Sequence, residues 1–136
     1  MTSIERVPSG CEPRIVVVDD DPGLLDCIAT ILAQEHYRVF AAADGREALQ
    51  HLRAQGADLL LTDVMMPQMD GFMLVERVRA EASLAHIPVI FFTSSTDERR
   101  GRRLGAFDYI RKPVGRDELL ERVFRGICIG VMSSGR

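Results

Sequence analysis

The chain has 136 residues, 46% of them hydrophobic and 27% charged, with a formal net charge of −3. That length suits one domain, able to bury roughly two-thirds of the surface its unfolded chain exposes. The composition excludes a disordered polymer and lacks the lysine and arginine excess of a nucleic-acid binder, so partners must be read from sites and not from bulk charge. Three cysteines, Cys11, Cys27 and Cys128, stand far apart and in no CxxC pair. They support neither a disulfide framework nor a zinc cluster, and they are expected to be small core residues in a reducing cytoplasm. No run approaches the roughly 18 apolar residues of a membrane span, and the start, "MTSIERVPSGCEP", lacks the apolar stretch of a signal peptide.

Residues 1–13 carry two prolines, a glycine and no period, and are expected to be a flexible tail. From Arg14, "RIVVV" is a short β-branched run with no polar face, which predicts a strand covered on both sides. Leu24, Leu25, Ile28, Ile31 and Leu32 then recur at helical spacing, to about Gln34. "YRVFAA" follows as a strand, and Asp44 with Glu47 opens a second helix as a capping box. "ADLLLTD" is a third strand. A helix from about Gly71 sets Phe72, Val75 and Val78 on one stripe, and "IPVIFFT" is the fourth and most apolar strand. After a short arginine-rich segment come "FDYIRK" and the amphipathic "RDELLERVFRGI", with Leu119, Leu120, Val123 and Ile127 inward. The domain is expected over residues 14–128, followed by a tail at 129–136. Strands alternating with helices at this spacing predict an α/β fold, an open, doubly wound parallel sheet with helices on both faces.

Such sheets bind ligands outside the carboxyl ends of their strands. The residues there are Asp19, Asp20 and Asp21 after the first strand, Asp63 after the third, Thr93 and Ser94 after the fourth, and Lys112 after the fifth. Converging carboxylates repel one another unless a cation neutralises them, so the set implies a hard divalent ion such as Mg²⁺. A carboxylate so neutralised is suited to nucleophilic attack on phosphorus. Asp63, which stands alone, is the natural nucleophile, and the acidic run is the natural metal cradle.

The four motifs "VVVDDDP", "LLLTDVMMPQMDG", "PVIFFTS" and "GAFDYIRKP" occur in this order and together resemble the receiver domain of two-component response regulators, the CheY-like family, over nearly the whole chain. The resemblance implies a flavodoxin-like sheet of order 2-1-3-4-5. It implies that Asp63 accepts a phosphoryl group from the histidine of a sensor kinase or from a phosphotransfer protein. The metal ligands would be Asp19, Asp20, Asp63 and the backbone carbonyl of Met65, with Asp20 the more direct and Asp19 holding a coordinated water. Thr93 matches the switch hydroxyl, Lys112 the lysine that pairs with the phosphoryl group, and Tyr109 the aromatic that swings inward. Pro113 matches a residue whose peptide bond is usually cis. A receiver forms and loses its own phosphoaspartate and turns over no other substrate. Its partners would be a kinase and an output protein, with a phosphorylation-dependent homodimer among the outcomes, and neither DNA nor membrane is contacted directly. The enzyme alternative is a haloacid-dehalogenase-like phosphohydrolase with Asp19 as nucleophile and Asp21 as acid/base. Gly23 stands where that family wants Thr or Val, and Asp63 would be left without a role.

Three features depart from the receiver pattern. The interval from Thr93 to Lys112 is short by about three residues, close to one helical turn, so the fourth helix is expected to be short, with Gly101 lowering its propensity. That affects the family's usual output surface. Met65 and Ser95 stand two residues beyond Asp63 and Thr93, and an apolar methionine orients no attacking water, which predicts a long-lived phosphoryl group. "CIGVMSSGR" holds no DNA-binding or enzymatic segment, so the expectation is a stand-alone receiver or a piece of a longer protein. Asp21 is read as a helix-start residue and "RRGRR" as a solvated helix face, with protein contact as its functional option. Met65, Met66 and Met69 are read as loop packing, and His36, His51 and His86 as without chemistry.

Overall fold

The computed structural model describes residues 12–133. Strands β1 (Arg14–Val18), β2 (Arg38–Ala42), β3 (Leu59–Thr62), β4 (Val89–Thr93) and β5 (Asp108–Arg111) alternate with helices α1 (Pro22–Gln34), α2 (Gly45–Gln55), α3 (Gly71–Ala80), α4 (Glu98–Arg103) and α5 (Arg116–Ser133). The strands form one parallel sheet of order β2-β1-β3-β4-β5, the expected order. Successive strand side chains point to opposite faces. Val16, Val18, Leu60 and Phe91 therefore pack under α2 and α3, while Ile15, Val17, Leu61 and Ile110 pack under α1 and α5. Each fully buried aliphatic or aromatic side chain of this kind contributes about 1.5–3 kcal/mol.

The helix starts follow the sequence signals. Asp21, Asp44 and Asp70 cap α1, α2 and α3 by accepting backbone N–H groups of the first turn. At α2 the Asp44 carboxylate takes the Glu47 N–H at 2.8 Å, and Glu47 reaches back to the Ala43 N–H at 2.9 Å. The expected shortening of the fourth helix is present, since α4 has 6 residues.

Three expectations are corrected. Most of the proposed N-terminal tail lies outside the described residues, Cys11 with it, but Pro13 is buried and its carbonyl accepts the Arg38 N–H at 2.9 Å, so the sheet holds the chain from there. At the other end α5 continues beyond Cys128 to Ser133, because Gly130 is buried and Val131 packs against the α1–α5 core. Cys27 and Cys128 are exposed, not core, since each falls on the outward side of its helix.

The short α4 is held by a residue that hydrophobic pattern does not mark. Arg79 in α3 donates to the carbonyls of Ala85 and Ile87 at 2.9 and 2.8 Å, and to those of Leu104 and Gly105 at 3.1 Å each. One guanidinium thus ties the turn before β4 to the turn after α4, where a longer helix would otherwise supply packing. Burial holds its pKa below the ordinary arginine value. Lysine cannot reproduce the fork. Arg79→Lys is expected to lower unfolding free energy by about 1–3 kcal/mol in urea titration, and an unchanged midpoint would refute the clamp.

Candidate functional site

The carboxyl ends of β1, β3 and β5 bring the predicted charges together. Asp19 follows β1 and Asp63 follows β3 in the register that sets Val18 beside Thr62. Lys112 follows β5, from the far side of β4. Its Nζ donates to Asp19 Oδ2 at 2.9 Å and to Asp63 Oδ2 at 3.2 Å, closing a bridge across the sheet edge. Asp19 is 2% and Asp63 7% exposed. Charges this poorly solvated persist only when paired. Burial pulls the Lys112 ammonium down, but the hydrogen bond it donates to Asp19 and the charges of Asp63 and Asp19 outweigh it, and its pKa stands above the ordinary lysine value. Lys112 is therefore charged at neutral pH.

Each carboxylate is aimed by its remaining oxygen. Asp63 Oδ1 accepts the N–H of Val64 at 2.7 Å and of Met65 at 3.3 Å, and Asp19 Oδ1 accepts the Asp21 N–H at 2.9 Å. Asp20 is exposed. Carboxylate oxygens of Asp19, Asp20 and Asp63 lie within 4.8 Å of one another. Among the described residues no protein donor takes the Met65 carbonyl. Three hard oxygen donors with an open carbonyl beside them fit a divalent cation of the Mg²⁺ class, and the nearby methionine sulfurs do not.

The loop after Asp63 depends on glycine. A Cβ on Gly71 would lie 2.1 Å from the Asp63 carbonyl oxygen, and the Gly71 N–H donates to the Val64 carbonyl at 2.8 Å. The start of α3 is thus seated against the backbone of the aspartate itself. Sequence reading treated Gly71 as a helix start only; the Asp-Gly pair was the signal, but only the fold shows what it approaches.

Thr93 is fully buried at the end of β4, and its hydroxyl accepts the Ser95 N–H at 3.1 Å instead of joining the charged bridge. Tyr109 is buried one strand further on, its hydroxyl donating to the Ser95 carbonyl at 2.8 Å and its ring 5.7 Å from that of Phe91. Thr93 and Tyr109 are therefore linked through Ser95. A Cβ at Gly101 would lie 2.9 Å from the Tyr109 ring, so glycine lets α4 rest directly on this tyrosine. The sequence pattern also missed Phe92, whose ring lies 5.4 Å from Lys112 Nζ and supports the ammonium from below. The Lys112–Pro113 peptide bond is cis. Asp21 caps α1, its Oδ1 accepting from the N–H groups of Gly23 and Leu24 at 3.0 and 3.2 Å, as expected of a helix-start residue.

Residues 15–124 match the response regulator receiver domain family. The chain is 40% identical over 113 residues to the transcriptional regulatory protein DltR of Streptococcus agalactiae, covering 81% of this chain and 50% of DltR. It is 40% identical over 112 residues to a probable cyclic di-GMP phosphodiesterase of Vibrio cholerae, covering 80% of this chain and 25% of that protein. The chain thus spans half or less of the length of these relatives. Among solved structures, the chemotaxis protein CheY4 of Vibrio cholerae superposes with a TM-score of 0.80 at 31% identity, covering 84% of this chain and 98% of CheY4. Fold and strand-edge charges define a CheY-like signalling domain. The chain belongs to the response regulator receiver domain family of two-component systems. Nothing supports the phosphohydrolase alternative.

Lys112 already occupies one oxygen of each of the two carboxylates that a divalent ion would use, so Lys112→Met is expected to tighten Mg²⁺ binding by about tenfold or more in isothermal titration calorimetry. Equal or weaker binding would show that the lysine does not act as the resident counter-ion.

Proposed function

We infer that Asp63 is the phosphoacceptor of this receiver and that its phosphorylation, with Mg²⁺ at Asp19, Asp20, Asp63 and the Met65 carbonyl, sets the state read by an output partner. The observation that carries the reading is the Lys112 bridge, which draws a cation and two carboxylates to one strand edge with Asp63 among them. In the transfer, the phosphorus–nitrogen bond of a donor phosphohistidine breaks as a phosphorus–oxygen bond forms to an Asp63 carboxylate oxygen, and the electron pair of the broken bond leaves on the ring nitrogen of the histidine, a neutral imidazole whose other nitrogen already carries its proton. Bound Mg²⁺ supplies charge neutralisation for the phosphoryl oxygens. Lys112 supplies a second positive charge and moves from carboxylate to phosphoryl oxygen with little displacement. Thr93 offers a hydroxyl already poised at the adjacent strand end, and Ser95 carries any change there to Tyr109. The donor is a sensor kinase or phosphotransfer protein. The domain acts on no external substrate, and among the described residues no helix is long and apolar enough to cross a membrane.

Met65 bears on the lifetime of the acyl phosphate. Its side chain is 60% exposed, and the Ser94 hydroxyl donates weakly to its sulfur at 3.9 Å. A thioether beside the pocket orients no attacking water. The output face also has its own character. Arg122 forks Asp108 with two bonds of 2.7 Å, Arg102 lies 3.8 Å from the same carboxylate, and Glu98 pairs with Arg102 at 2.9 Å. The charges linking α4, β5 and α5 are thus satisfied within the chain, and a partner on this face must displace or bypass them.

Incubation with Mg²⁺ and acetyl phosphate is expected to add the mass of one phosphoryl group, and Asp63→Asn is expected to abolish it. Labelling retained in that variant would overturn the assignment. Met65→Asn is expected to shorten the phosphoryl half-life severalfold, and an unaltered half-life would remove Met65 from the account.

A further inference from the structure

Away from the acidic edge, a groove of about 440 Å³ runs between α2 and α3 and is bounded at one end by the loop that follows Asp63. Its lining holds three arginines, Arg46, Arg53 and Arg77, against one acid, Asp44, whose carboxylate is already spent on capping α2. Arg53 pairs with Glu81 outside the lining. Arg46 and Arg77 are exposed and, among the described residues, have no carboxylate partner. Arg46 is also badly placed for its own helix: it stands in the first turn of α2, where the backbone dipole favours acids and disfavours cations.

The rest of the lining is apolar apart from the side-chain amides of Gln50 and Gln68. Leu49, Pro67 and Met69 form the floor, and Met73 is 39% exposed at the rim. Methionine adapts to varied apolar partners. An apolar floor between unpaired arginines calls for a ligand with apolar side chains flanked by carboxylates. A nucleic acid fits less well: the lining has no aromatic ring for a base, and the chain's net charge of −3 repels a polyanion. The size of the groove matches a few side chains.

We propose that the α2–α3 groove is a docking site for an acidic, amphipathic segment of a partner protein, with Arg46 and Arg77 as its charged contacts and Met69 and Met73 as its apolar ones. This surface is separate from the face of α4, β5 and α5. One wall is Pro67, Gln68 and Met69, and Gln68 holds a left-handed φ of 69°. That loop joins Asp63 to α3, so the groove and Asp63 share one segment, and any coupling between them is reciprocal. The coupling rests on Asp63 being the phosphoacceptor, whereas docking itself does not.

The test uses the full chain, labelled with ¹⁵N and unphosphorylated, and a short synthetic helical peptide with glutamates on one side and leucines on the other. Amide shifts are expected to cluster at Arg46, Met69, Met73 and Arg77. The double variant Arg46→Glu, Arg77→Glu is expected to weaken binding by about tenfold or more, and a peptide with glutamine in place of glutamate is expected to bind the parent chain weakly. Because both arginines are exposed, the variant's circular dichroism and its labelling by acetyl phosphate should match those of the parent, which separates this test from that of Asp63. Shifts centred elsewhere, affinity indifferent to the double variant, or tighter binding of a single-stranded oligodeoxynucleotide at the same arginines would overturn the proposal.

Discussion

The structure depends on one ammonium group. Lys112 lies between Asp19 and Asp63, and without it two carboxylates that are almost wholly removed from water would face each other across a strand edge. The repulsion between them, and the cost of leaving both desolvated, is offset by that ammonium or by another cation in its place. The bridge also fixes what can happen next. A cation arriving at the carboxylates, or a phosphoryl group arriving on Asp63, must compete with or redirect that same lysine.

The sheet order makes the bridge geometrically available. β1 and β3 are neighbours at the switch point, which sets Asp19 beside Asp63, while Lys112 reaches them past β4. Gly71 lets α3 begin against the Asp63 carbonyl, and the loop between them carries both the Met65 carbonyl and the wall of the α2–α3 groove. On the other side, the shortened α4 rests on Tyr109 through Gly101 and is retained by the Arg79 clamp. Changes at the strand edge therefore have two neighbours to act on: the loop toward α3, and the line from Thr93 through Ser95 to Tyr109.

Much of this was legible in the residues. Apolar runs too short for helices gave the strands, and the polar residues directly after them gave Asp19, Asp20, Asp63, Thr93 and Lys112, because a carboxylate at the end of a buried run has no place in a core. The missing helical turn was readable as a count between Thr93 and Lys112. What stayed hidden depends on contacts distant in sequence. Arg79 reads as an ordinary helix-surface arginine until its four carbonyl acceptors are brought round it. Gly101 reads as a helix breaker until Tyr109 is placed beneath it. Cys27 and Cys128 were assigned to the core from residue type, yet the helical phase turns both outward. The end of α5 was misjudged because glycine and the small residues near it weaken helical propensity, while packing of Val131 against the core sustains the helix.

The central claim is that the carboxylate held by Lys112 at the end of β3 is the one that carries phosphate. An acyl phosphate on aspartate is reduced by borohydride to homoserine, so treating the phosphorylated chain with borohydride and mapping its peptides by mass spectrometry reports the modified position directly. The account predicts homoserine at position 63, absent when phosphodonor or Mg²⁺ is withheld. Homoserine at position 19 or 20, with Asp63 unmodified, would contradict it.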